Sequence, residues 1–69
     1  MEAKAERHRR AAQTHEEAAE RHVQAAERWA KLGDSERADL ERRNAEIERA
    51  AAQLEGERAD LIDREAAQG

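Results

Sequence analysis

The 69-residue sequence contains no cysteine, no proline, no phenylalanine and no tyrosine, and it contains a single tryptophan. The absence of cysteine excludes disulfide bonds, thiolate zinc sites and iron–sulfur clusters. No apolar run approaches the roughly 18 residues that indicate a membrane-spanning helix. Residues 1–10 are charged and lack the apolar region of a signal peptide. We therefore expect a cytoplasmic protein that makes no membrane contact.

Large apolar side chains are also scarce. Of the 26 hydrophobic residues, 17 are alanine, and the other nine are Met1, Val23, Trp29, Leu32, Leu40, Ile47, Leu54, Leu61 and Ile62. Nine such side chains are too few to offset the entropy of ordering this chain as a monomer, so we expect a core shared between chains. Alanine, glutamate and arginine are strong helix formers, which favours helix over disorder. The abundance of alanine, with arginine as 11 of the 13 basic residues, also suggests a GC-rich bacterial genome.

Charge and side-chain chemistry limit the function classes. The chain has 13 basic and 17 acidic residues, a net charge of −4, which makes nucleic-acid binding an unfavoured alternative. It has one threonine, one serine and no glycine-rich phosphate loop. A thin layer of two helices also provides no concave, dry pocket for catalysis. We predict a protein that is not an enzyme and has no cofactor.

A turn at Gly33, Asp34 and Ser35 divides the chain near its midpoint. Glycine commonly follows the last residue of a helix, and aspartate and serine commonly cap the start of the next one. The sequence therefore predicts a single domain over residues 1–69, with a helix at about 2–32, a turn at 33–35 and a helix at about 35–67. The fold class is all-α, a long antiparallel αα-hairpin or two-helix coiled coil.

The first helix carries a histidine column, which we define as His8, His15 and His22. Met1 and Trp29 continue the same seven-residue spacing. Two alanine columns flank it, one three and one four residues further along the chain. The strict seven-residue period predicts left-handed supercoiling of packed helices.

The second helix carries two apolar stripes. The leucine stripe is Leu40, Ile47, Leu54 and Leu61. The alanine stripe is Ala38, Ala45, Ala52 and Ala59, and Ala66 continues the same seven-residue spacing. Two apolar stripes need two neighbouring helices, so we predict a homo-oligomer, most simply a dimer that forms a four-helix bundle. A protein partner is a second possible occupant. The predicted interface consists of the leucine stripe, with Trp29 holding the hairpin end. The pattern leaves open which stripe faces the first helix.

A turn centred at Gly33–Asp34 also predicts a register. It sets His22, His15 and His8 opposite Ala45, Ala52 and Ala59. The neighbouring alanines of the first helix then face the leucine stripe. Both arrangements place large residues against small ones, which suits knobs-into-holes packing.

The histidine column leaves three interpretations open. His8, His15 and His22 are candidate metal ligands, if an oligomer joins two columns or if Glu46, Gln53 and Asp60 assist. Successive histidines lie about 10.5 Å apart along a helix, so one column alone does not chelate one ion. They are also candidate pH-responsive groups, because histidine titrates near neutral pH. Superimposable thermal melts at pH 5.5 and 7.5 would contradict that hypothesis. The third interpretation is amphipathic filling at the edge of the core.

Arg7, Arg9 and Arg10 are candidate phosphate contacts, and they are expected to lie near Asp60 and Asp63. The two-hairpin architecture also resembles that of small plasmid RNA-binding regulators, which suggests a nucleic-acid-binding dimer as an alternative function. Salt-dependent binding that is lost when these arginines are neutralised would favour that alternative.

Residues 22–45 resemble one tetratricopeptide-like helix-turn-helix. The resemblance rests on Ala25-Ala26, Trp29, Gly33-Asp34, Ala38 and Ala45. It implies this turn geometry and a role in binding protein segments. The predicted helices are about twice the length typical of that family, and the unit occurs once.

Overall fold

The computed structural model describes residues 3–69 and consists of two α-helices packed against each other. Helix α1 spans Lys4–Lys31 and helix α2 spans Ser35–Gln68, and they form a hairpin 56 Å long. The prediction of an all-helical hairpin is confirmed. Residues 1 and 2 lie outside the described part, and with them Met1 at the start of the histidine spacing. Within residues 3–69, neither helix has a segment apolar enough to cross a membrane.

The turn after α1 is closed by backbone hydrogen bonds around Gly33. The Gly33 amide donates to the carbonyl of Ala30, and the Asp34 amide donates to the carbonyl of Trp29. This pair of bonds is the Schellman motif, which requires a left-handed residue after the helix. Gly33 supplies it with φ at 81°. The chain therefore reverses direction within three residues.

Asp34 begins α2 by capping its free amides. Its side chain accepts a hydrogen bond from the backbone amide of Arg37 at 3.0 Å, and its carboxylate also pairs with the Arg37 guanidinium. The negative side chain is favoured there because the helix dipole is positive at its N-terminus. The pKa of Asp34 is lowered from its ordinary value of 3.8, chiefly by that backbone hydrogen bond.

The contact between the helices is made of alanine. Among the described residues, the buried side chains are the alanine stripe of α2 together with Ala5, Ala19 and Ala26 of α1. They recur at multiples of seven residues on each helix, so they form a continuous line along the hairpin. A methyl side chain lets two helix backbones approach closely, and close packing is the source of its dispersion energy.

The leucine stripe lies on the other side of α2. It begins two residues after the alanine stripe, which corresponds to a rotation of about 200° around the helix. Its four side chains are 46–65% exposed, whereas the alanine stripe is at most 5% exposed. The structure therefore answers the question that the sequence left open, because the alanine stripe is the intramolecular one.

We expect Gly33→Ala and Gly56→Ala to change stability in opposite directions. A Cβ atom at either position meets nothing within 4 Å, so backbone conformation alone decides the effect. Alanine at position 33 is strained by the positive φ and should cost about 1–2 kcal/mol. Alanine at position 56, inside α2, should add up to about 1 kcal/mol. Thermal melts should separate the two variants by roughly 4–24 °C for a domain of this size. Equal melting temperatures would contradict the argument.

Candidate functional site

The leucine stripe is the main candidate site, because it is a line of large apolar side chains in contact with solvent. The exposed fractions are 56% for Leu40, 65% for Ile47, 46% for Leu54 and 49% for Leu61. Single exposed leucines are common on protein surfaces, whereas aligned apolar patches mark interaction sites. Four residues at heptad spacing cover roughly 30 Å of helix length. This length and period suit another helix.

Trp29 lies at the turn end of the hairpin and is half-buried. The Arg37 guanidinium lies 5.0 Å from the centre of the Trp29 ring, a distance typical of cation–π contacts. Arg37 also pairs with Asp34. The tryptophan thus joins the end of α1 to the first turn of α2. The sequence predicted two roles for Trp29, which are stabilising the turn end of the hairpin and taking part in an interface. The contact with Arg37 bears on the first role only.

Each residue of the histidine column pairs with a glutamate of α2. The histidine Nδ1 lies 2.5 Å from Glu55 Oε2 for His8, 2.6 Å from Glu48 Oε2 for His15 and 2.7 Å from Glu41 Oε2 for His22. An ionised carboxylate only accepts hydrogen bonds, so Nδ1 carries the proton and donates. These three pairs are spaced one heptad apart along one edge of the alanine contact.

The observed register differs from the predicted one. His8, His15 and His22 were expected opposite Ala59, Ala52 and Ala45, but each pairs with a glutamate four residues earlier. Alanine columns of the two helices occupy the contact, because methyl groups permit the closest approach. The larger imidazole is displaced to the edge, where the side chains of the three histidines remain 28–37% exposed and reach a carboxylate. The prediction that the alanines of α1 face the leucine stripe was wrong for the same reason.

The His8–Glu55 pair lies near the open end of the hairpin, and the pKa of its glutamate is shifted. The pKa of Glu55 is lowered from its ordinary value of 4.5, chiefly because its carboxylate accepts a hydrogen bond from His8. A hydrogen bond from Arg58 acts in the same direction. Both donors favour the ionised carboxylate. Glu55 therefore connects the histidine column to the guanidinium of Arg58 on its own helix.

We expect this lowered pKa to make stability depend on acid pH. A carboxyl group whose pKa is lower in the folded state contributes stability that is present above its unfolded value and lost as the pH falls through the folded value. The melting temperature should therefore fall as the pH is reduced from 5 through 4.5 towards 3. In Glu55→Gln the fall should be smaller, with Glu46→Gln, at an exposed position on the same helix, as the matched control. An identical acid profile for Glu55→Gln and the native chain would contradict this expectation.

The described part of the chain shows no set of ligands for the metal ion that the histidine column was predicted to bind. Among residues 3–69, no group of three or more histidine, cysteine, aspartate or glutamate side chains is placed to hold a metal ion. Each histidine is next to one glutamate, and the predicted assistants Glu46, Gln53 and Asp60 are not its partners. A site joined from two chains remains a prediction, which Zn²⁺ titration of the native chain and of a triple His→Ala variant would test. The pH-response hypothesis also remains a prediction.

The basic cluster is partly occupied by carboxylates. Arg9 pairs with Asp63 and lies 3.6 Å from Asp60, as the sequence predicted for this cluster. The hydrogen bond with Asp63 raises the pKa of Arg9. Arg7 and Arg10 are exposed. A phosphate group would compete with two carboxylates for Arg9, which weakens the case for nucleic-acid binding but leaves it untested.

Comparison with protein-family models, with curated proteins and with solved structures gave no match. The tetratricopeptide resemblance therefore rests on the residues of the 22–45 segment that suggested it. The proposals below rest on the geometry of the chain itself.

Sequence reasoning missed the glutamates that pair with the histidine column. Glu41, Glu48 and Glu55 recur every seven residues, as do the histidines. Matching the two heptad sets would have set His8 against Glu55 and corrected the register. The signal was weak, because α2 contains many other acidic residues.

Proposed function

We propose that this chain is a non-enzymatic helical assembly protein that self-associates through the leucine stripe. The observation that carries the proposal is the contrast between the two stripes of α2. The intramolecular contact uses alanine, whereas the four large apolar residues of the stripe are about half exposed. Full burial of one such side chain contributes about 1.5–3 kcal/mol. The chain thus leaves much of its apolar burial energy for a second molecule.

The period of the stripe favours a helix as its occupant. A heptad repeat keeps side chains on one line only when the helices supercoil around each other, so the matching surface is another heptad-bearing helix. The alanine and leucine stripes lie on nearly opposite sides of α2. In a dimer, α2 of each chain would therefore lie at the centre with α1 outside it. In this four-helix assembly, alanine forms the core between α1 and α2 of each chain, and the leucine stripe forms the core between the two copies of α2.

Sedimentation equilibrium over a range of concentrations tests the proposal. We expect the mass to rise with concentration from 7.8 kDa, the mass of one chain, towards twice that value. Circular dichroism on the same samples should show helicity that is maintained or gained as the dimer forms. The mass of a single chain at every concentration up to the solubility limit would contradict the proposal.

A further inference from the structure

We infer that the occupant of the leucine stripe is α2 of a second copy, running antiparallel about a twofold axis beside Ala50 and Ala51. This inference rests on the proposed self-association and adds the arrangement of the two chains. Leu40 then lies opposite Leu61 of the second copy, and Ile47 lies opposite Leu54 of the second copy. Ala50 and Ala51 meet their own copies at the axis. Their small side chains allow the two helices to approach closely there.

The charged residues along one flank of the stripe support this arrangement. The flank lies three residues after each member of the stripe and extends one heptad towards the turn. It consists of Glu36, Arg43, Ala50, Glu57 and Arg64, all exposed. Its charges therefore run negative, positive, neutral, negative, positive. Reversing this order exchanges the signs, so the flank is complementary to itself in the antiparallel direction and not in the parallel one.

The hairpin itself shows which columns face each other in an antiparallel pair. His8 and His22 lie three residues after Ala5 and Ala19 of the central contact on α1, and His15 continues their seven-residue spacing. Their partners Glu55, Glu48 and Glu41 lie three residues after members of the alanine stripe. In this antiparallel pair of helices, the residues that lie three positions after the central contact on one helix therefore pair with the residues that lie three positions after it on the other. Applied to two copies of α2, the same rule pairs Glu36 with Arg64 and Arg43 with Glu57 of the second copy.

Within the described residues, the charged side chains of this flank make no ion pair. Among residues 3–69, no ion pair within 4.0 Å involves any of the four charged flank residues, which are Glu36, Arg43, Glu57 and Arg64. The antiparallel dimer pairs all four with one another, giving four intermolecular pairs by symmetry.

A parallel dimer is less favourable on three counts. It would set Arg43 opposite Asn44 of the second copy. It would set Glu36 and Glu57 against Arg37 and Arg58, which already pair with Asp34 and Glu55. Only Arg64 would meet an opposite charge, Glu65 of the second copy, that makes no ion pair among the described residues. It would also align the dipoles of two 34-residue helices in the same direction. These three differences favour the antiparallel arrangement.

Single-cysteine crosslinking tests the arrangement, since the native chain has no cysteine background. The variants are Ala50→Cys, Arg43→Cys and Glu57→Cys, treated with a bis-maleimide that has an ethylene spacer. Ala50→Cys should crosslink to itself. Arg43→Cys and Glu57→Cys should each fail alone, because each lies about 21 Å from its own copy. An equimolar mixture of the two should crosslink as a heterodimer. Gln24→Cys, exposed on α1, is the control and should stay uncrosslinked.

The outcomes separate this inference from the proposed function. Self-crosslinking of Arg43→Cys and Glu57→Cys would overturn the antiparallel arrangement and leave self-association intact. A single-chain mass in sedimentation, with no crosslinking of Ala50→Cys, would overturn both. Circular dichroism of each variant should show native helicity, because all three positions are exposed.

A charge exchange provides an independent readout. Arg43→Glu alone and Glu57→Arg alone each place like charges together at two symmetric sites, so each should weaken the dimer by roughly fivefold. The double variant restores opposite charges in the antiparallel dimer and should recover native affinity. In a parallel dimer it would instead set the introduced guanidinium beside Arg58 of the second copy. Failure of the double variant to recover would contradict the antiparallel arrangement.

Discussion

We expect that replacing Leu54 by aspartate converts the proposed dimer into a monomer. Leu54 is near the middle of the leucine stripe and is 46% exposed in the single chain. In a twofold dimer the substitution acts twice. The dimer buries only the exposed half of each leucine, so losing two of them removes roughly 1.5–3 kcal/mol, and desolvating the two carboxylates adds to that loss. We expect the dissociation constant to rise by roughly 100-fold or more.

The control for this experiment is Gln53→Asp. It adds the same charge to the same helix at an exposed position one residue away, outside the leucine stripe. Sedimentation should show a native dimer for Gln53→Asp and a monomer for Leu54→Asp. If the Leu54→Asp monomer also loses helicity, the hairpin depends on the shared core for its stability. A Leu54→Asp variant with native mass and native helicity would refute the leucine stripe as the interface.

The second large effect is expected at the alanine contact, where Ala45→Leu should destabilise the hairpin itself. Ala45 is 1% exposed and lies in the stripe that faces α1. Extra volume in a packed contact forces side chains off their rotamers or helices apart, at a cost of about 1–3 kcal/mol. Because a domain of this size loses about 4–8 °C per kcal/mol, the melting temperature should fall by roughly 4–24 °C.

Ala30→Leu is the matched control for the alanine contact. Position 30 is an exposed alanine within α1, so leucine there adds the same volume without entering the contact. Its melting temperature should stay within a few degrees of native, since surface substitutions change stability by about 0.5 kcal/mol or less. An Ala45→Leu variant that melts at or above the native temperature would indicate spare room between the helices. The close-approach argument would then be wrong.

The sequence predicted the hairpin, because its signals are local and unopposed. Gly33 and Asp34 are the strongest turn signal in a chain without proline, and the heptads on either side have no competing period. The register was harder to predict, because it depends on which columns form the contact. Size matching favoured histidine against alanine, whereas the observed contact sets alanine against alanine. Packing distance decided the outcome, and a residue pattern does not contain that quantity.

For the candidate sites too, the sequence predicted some features and not others. The leucine stripe was identified as an association surface from its period alone, and its exposure agrees with a site that is free to bind. The partners of the histidine column were predicted incorrectly, since they follow from the register. Had Glu41, Glu48 and Glu55 been matched to the histidines by spacing, both errors would have been avoided.

The placement of the two stripes on opposite sides of α2 has a consequence for how this protein can diverge. If the leucine stripe is the interface, as we propose, substitutions in it change what the hairpin binds and leave the side chains of the alanine contact in place. Substitutions in the alanine contact have almost no permitted alternatives, because every larger side chain separates the helices. Among descendants of this chain, recognition should therefore drift quickly on one side of α2, while the other side stays nearly invariant.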